Sequence, residues 1–169
     1  MMRETPRRPW YVSIFVCLLV SLSAIAGPAS NLTMAATTFI ATLDGLQNVP
    51  PLPEVTATGT AMLTLNDEQT ELSFVINISG LSSPEFASHI HNAGPRDNGP
   101  IAFELPLGGT KVGTWAIPPN MVTELLAGRL YINVHTDTYI AGEIRGAIIE
   151  VKVPVERSTW GRIKSLYEK

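Results

Sequence analysis

Apolar and polar residues alternate along most of the chain. Eight runs carry a period close to two, the spacing of a strand with one face buried. They are "TTFIATLDG" from Thr37, "TGTAMLTL" from Thr58, "TELSFVINISG" from Thr70, "FASHIH" from Phe86, "IAFEL" from Ile101, "GTKVGTWAI" from Gly109, "RLYINVHT" from Arg129 and "GEIRGAIIEV" from Gly142. Turn formers separate them. "LQNVPPLPEVTA", with its clustered prolines, is a loop or an irregular edge segment. "NDEQ" has the length of a short hairpin connection. In the third run Val75 interrupts the alternation of Leu72, Phe74, Ile76 and Ile78, which predicts a strand buried on both faces.

One stretch changes period. In "PPNMVTELLAG" Met121, Val122, Leu125 and Leu126 recur at helical spacing, Pro119 suits the first turn and Gly128 suits the C-terminal cap. A single short helix among about eight strands favours an antiparallel sheet over a parallel one, which would need many more helices. The pattern predicts an all-β fold, an antiparallel Greek-key β-sandwich.

The two ends break the pattern. Arg3, Arg7 and Arg8 precede the charge-free run "WYVSIFVCLLVSLSAIA", which closes on Ala24-Ile25-Ala26. That is the form of a cleaved export signal over residues 1–26, placing the protein in a secreted or periplasmic setting. The alternative is an uncleaved N-terminal anchor, for which the run is short. In either case the domain that follows does not span a membrane. Residues 27–36 form a flexible lead and residues 37–151 the domain. Residues 152–169 form a basic tail in which Trp160, Ile163, Leu166 and Tyr167 share one face of a short amphipathic helix. That helix either packs on the sandwich or meets an anionic partner.

Composition narrows the chemistry. The chain has 169 residues, 45% of them hydrophobic and 16% charged, with a net charge of −3. It can bury a core, and its charge does not suit nucleic acid. Its one cysteine, Cys17, lies in the signal, so the domain has neither a disulfide nor a thiolate ligand.

Its 3 histidines carry the candidate chemistry. His89 and His91 flank Ile90, so strand alternation points both imidazoles one way and Ile90 the other. In "RLYINVHT" Tyr131, Asn133 and His135 share a face. Closing the hairpin over "DTYIA" sets Asn133 opposite Arg145 and His135 opposite Glu143, a register that a one-residue slip would destroy. If the His-Ile-His strand neighbours this hairpin, His89, His91, His135, Glu143, Asn133 and Arg145 converge. Three roles fit such a cluster. It could hold one copper or zinc ion through three imidazoles, with Glu143 as a fourth ligand or as the acceptor that orients His135. It could do acid–base catalysis, although no nucleophile motif accompanies it. Or the histidines could simply fasten loops.

"FIATLDGLQNVPP", "TGTAMLTL", "SHIHNAGP", "LLAGRLYINVHT" and "AGEIRGAI", in this order, resemble the CHRD domain, named for the repeats of the extracellular protein chordin. The resemblance covers residues 37 to 150. It implies a secreted all-β sandwich similar to that of copper/zinc superoxide dismutase, which also uses a His-x-His strand. A binuclear site of that enzyme's kind needs more histidines than this chain has. The chain departs from the family pattern at Tyr139-Ile140, where a proline is common, and at Ala147, where a glutamine is common. The expectation is therefore an exported binding or structural module, rather than an enzyme, with a mononuclear histidine site. It would act on an extracellular protein or surface ligand. The alternative is a redox-active copper or zinc metalloenzyme.

Overall fold

The computed structural model describes residues 36–152. The expected signal segment, the expected lead up to residue 35 and the tail beyond Lys152 lie outside the described residues. Nine strands and one helix follow in order: β1 (Thr37–Leu43), β2 (Thr58–Leu65), β3 (Leu72–Ser79), β4 (Glu85–Asn92), β5 (Ile101–Glu104), β6 (Thr110–Trp115), α1 (Pro119–Leu126), β7 (Leu130–Thr136), β8 (Ile144–Ala147) and β9 (Ile149–Glu150). They form two antiparallel sheets, ordered β6-β3-β2-β1-β9 and β5-β4-β7-β8. The chain crosses between the sheets after β3, β5, β6 and β8, and α1 lies on the crossing from β6 to β7. This is the all-β sandwich that the alternation predicts.

The core lies between the sheets. Phe39, Leu43, Leu63, Leu72, Phe74 and Ile76 of the larger sheet face Ile90, Leu130, Ile132, Val134 and Ile144 of the smaller one. Burial of each such side chain contributes about 1.5–3 kcal/mol. One ion pair sits inside this apolar layer. Lys111 on β6 reaches Glu85 on β4 at 2.6 Å and also donates to the Gly108 carbonyl at 2.8 Å. Glu85 accepts further bonds from Ser88 Oγ and the Gly108 amide, so both charges are satisfied and the two sheets are tied at one end.

Three local expectations are corrected. Val75 does not make β3 buried on both faces. It lies on the outer face, half-exposed, while Leu72, Phe74 and Ile76 fill the core. The "NDEQ" connection is longer than four residues, because Asn66 bonds the Thr70 and Glu71 amides and so closes a loop that extends to Glu71. The last run divides in two. β8 pairs with β7 in the smaller sheet, Ile148 turns into the core, and β9 pairs with β1 in the larger sheet. The helix forms as expected, with Val122 and Leu125 buried and Gly128 at φ 68 after its end.

Candidate metal centre

The outer face of the smaller sheet carries the histidines. On β4, Ile90 is fully buried in the core, so His89 and His91 project outward. On β7, Leu130, Ile132 and Val134 take the core side and leave Tyr131, Asn133 and His135 outside. β4 and β7 are direct neighbours, with His89 opposite Asn133, His91 opposite Tyr131 and Ala87 opposite His135. That pairing was conditional in the sequence and is the step that assembles the cluster. The ring centroids of His89 and His135 are 5.1 Å apart, those of His89 and His91 5.5 Å, and those of His91 and His135 6.0 Å. One nitrogen from each ring lies within 4.8 Å of the other two.

Hydrogen bonds settle which nitrogens are free. Nδ1 of His91 lies 2.9 Å from the Gly99 carbonyl, and Nδ1 of His135 lies 2.9 Å from the Ile140 carbonyl. A carbonyl only accepts, so each Nδ1 carries the proton and each Nε2 keeps its lone pair. Those two Nε2 atoms, together with Nδ1 of His89, are buried with no hydrogen-bond partner. Unpaired buried polar atoms are costly and rare, and the three rings that carry these lie close enough together to hold one metal ion.

Electrostatics favour the neutral form of His89 and His91. Burial lowers the pKa of His89, the neighbouring His135 lowers it further, and Glu104 opposes them. Burial also lowers the pKa of His91. Its bond to Gly99 opposes this, and His89, His135 and Arg145 add to the lowering. Neutral imidazole is the form that binds a metal.

The expected hairpin register is present, with Asn133 opposite Arg145. Glu143, however, does not join the histidines. It follows Gly142, at φ 122, and its amide donates to the Val134 carbonyl where the ladder ends. Its buried carboxylate accepts from the Ser82 amide (2.8 Å), Ser82 Oγ (3.0 Å) and Thr136 Oγ1 (2.7 Å). Thr136 faces the core side, opposite to His135. Nor does Glu143 pair with Arg145. The buried Arg145 guanidinium lies 3.5 Å over the Tyr131 ring and donates to Asn98 Oδ1 and to the Gly94, Pro95 and Asp97 carbonyls, which pins the loop above the face. Asn133, opposite His89 in the ladder, donates to the Ala141 carbonyl and leaves its own Oδ1 unpaired.

Two further residues belong to this face. Tyr131 stacks on His91 at 5.0 Å and 6°, and its hydroxyl accepts from the Gly99 amide. The alternation of "RLYINVHT" already put it on this face. Glu104 on β5 lies directly opposite His89. Nothing in the sequence indicates that pairing. Gly99 itself is required, because a Cβ there would collide with the Asn92 carbonyl.

The chain matches the family model of the CHRD domain over residues 39–148. It belongs to the CHRD domain family. The match spans all the strands of the smaller sheet and so includes the whole histidine face. CHRD domains are extracellular binding modules. No curated protein and no solved structure matches the chain. Among the described residues, no helix is long and apolar enough to cross a membrane. In this CHRD domain the backbone carbonyl of Ile140 holds His135. The Ala147 amide donates to Gln47 Oε1.

Proposed function

We propose that this CHRD domain is an exported binding module that holds one copper or zinc ion through His89 Nδ1, His91 Nε2 and His135 Nε2. The observation that carries this reading is that one nitrogen from each of the three rings lies within 4.8 Å of the others, while each ring keeps one buried nitrogen with no partner and two of the rings have their other nitrogen fixed by a backbone carbonyl. Metal-bound imidazoles are held in the same way in general, the remote N–H being anchored by a carbonyl or carboxylate. Glu104 would do this for His89, whose Nε2 carries the proton once Nδ1 binds. Metal–nitrogen bonds of about 2.0–2.1 Å place tetrahedral donors about 3.4 Å apart, so binding would draw the rings slightly together.

Fastening loops is compatible with this role, because Nδ1 of His91 and Nδ1 of His135 do that while Nε2 of each, and Nδ1 of His89, stay free. The export signal at residues 1–26 supports an extracytoplasmic setting and an extracellular protein or surface ligand as partner. The reading as a redox metalloenzyme rests on the coordination position that three protein donors leave open. Calorimetric titration of the metal-stripped protein with Cu²⁺ and with Zn²⁺ tests the module. Binding at micromolar concentration or tighter, lost in His89→Ala and in His91→Ala, is expected. Absence of binding in the wild type refutes it. Superoxide and peroxide turnover by the loaded protein tests the enzyme.

A further inference from the structure

The outer face of the larger sheet carries an apolar row that the domain itself does not cover. Ile149, Ile40, Met62, Val75 and Val112 are cross-strand partners in sequence through β9, β1, β2, β3 and β6. Their exposures are 61%, 50%, 56%, 40% and 68%. The row therefore crosses the whole sheet, about 19 Å at the usual strand spacing. Its neighbours on the same face of the four longer strands are threonines, Ser73 and Asn77, none of them charged. A shallow groove of about 290 Å³ runs along it between Met62, Val75 and Val112. Single exposed apolar residues need no explanation, but a contiguous row marks a surface that something covers.

We propose that the C-terminal segment, residues 158–169, lies over this row. The chain leaves the domain beside it. β9 is the edge strand that contributes Ile149, the Val151 amide donates to the Thr38 carbonyl, and the chain continues from Lys152 at that same edge. The segment brings Trp160, Ile163, Leu166 and Tyr167 at helical spacing. As a helix it would extend about 18 Å, close to the width of the row. The lead before β1 offers only Leu32 and Met34, which cannot cover five strands. Charge agrees with this assignment. Arg157, Arg162, Lys164 and Lys169 would turn to water, away from a face with no charge to meet them. A tail so placed would present these cations as a basic ridge on an otherwise acidic protein.

Limited trypsin digestion of the full chain tests the docking, because cleavage at Arg157, Arg162 and Lys164 follows the population of undocked tail. Cleavage in the wild type should be at least about tenfold slower than in Met62→Glu/Val112→Glu, whose positions are exposed and whose fold is checked by melting temperature. Trp160→Ala/Leu166→Ala, which leaves the sandwich untouched, should lose the same protection. Equal cleavage in all three proteins overturns the proposal. So does protection that rises with protein concentration together with a doubled mass in light scattering, since a second copy would then occupy the row.

Discussion

Replacing His89 and His91 by alanine, one at a time, separates the two tasks assigned to the histidine face. Without metal, His91→Ala removes the bond to the Gly99 carbonyl and the stacked contact with Tyr131. A partly buried acceptor left without its donor costs up to about 1–3 kcal/mol. Loss of an aromatic contact adds about 0.5–1.5 kcal/mol. The expected loss is therefore up to about 1.5–4.5 kcal/mol, or a fall of roughly 6–20 °C in melting temperature for a domain of this size. His89→Ala removes a more exposed ring whose Nδ1 has no partner, so its cost should be within about 1 kcal/mol. With copper or zinc present at a hundred times the Kd, the wild type gains about 2.7 kcal/mol. Both variants should lose that gain. Thermal melts with chelator and with metal read all six values. Equal cost of the two substitutions in the metal-free protein would refute the division between fastened and free nitrogens. Full stabilisation of His89→Ala by metal would remove His89 from the ligand set.

Acid should destabilise the metal-free domain. His89 and His91 have lowered pKa values in the folded state, so below about pH 6.5, the ordinary histidine value, the unfolded chain binds more protons and stability falls with falling pH. Denaturant melts between pH 7.5 and 5.5 should show this slope, and the double alanine variant should flatten it. Lys111→Met strands the Glu85 carboxylate between the sheets and should cost about 3–5 kcal/mol in urea unfolding; a loss below about 1 kcal/mol would mean that the pair does not tie the sheets. Glu104→Gln should weaken metal binding by about tenfold while leaving the metal-free melting temperature unchanged, and unaltered affinity would remove Glu104 from the site.

Alternation made β2 legible from Thr58 to Leu65 and placed both β4 histidines on one face, because the period of a strand is a local property. What failed depended on neighbours. An apolar residue on a strand does not reveal whether the opposite face is covered, so Val75 pointed to two-sided burial when it lies in an exposed row. The continuous run from Ile144 to Val151 does not mark where the chain changes sheets at Ile148. The hairpin register was correct at Asn133 and Arg145 and still misassigned Glu143. The donors that hold its carboxylate include Ser82, 61 residues away, and no local pattern connects the two. For the histidines, sequence gave the shared face, while the choice of free nitrogen rests on the Gly99 and Ile140 carbonyls, supplied by loops.

The charge around the cluster bears on which metal it would take. Three neutral imidazoles leave a divalent ion its full charge, since Glu143 is spent on Ser82 and Thr136. Arg145 adds a positive charge nearby, one that lowers the pKa of His91. It is partly offset because the guanidinium is turned into the Tyr131 ring and three loop carbonyls. Glu104 is the one carboxylate that the sheet register sets against a ring of the cluster. A site of this kind gains little from ionic attraction and must rely on the nitrogen–metal bond itself. Nitrogen donors bind copper(II) more strongly than zinc, and imidazole also suits it geometrically when a position stays open. Under the proposed metal reading, this charge balance would favour copper. In competition at equal metal concentration, copper should displace zinc from the domain, and the visible absorption of the copper complex should reach its full value in zinc's presence. Zinc holding the site against copper would show that shape, rather than bond strength, governs the choice.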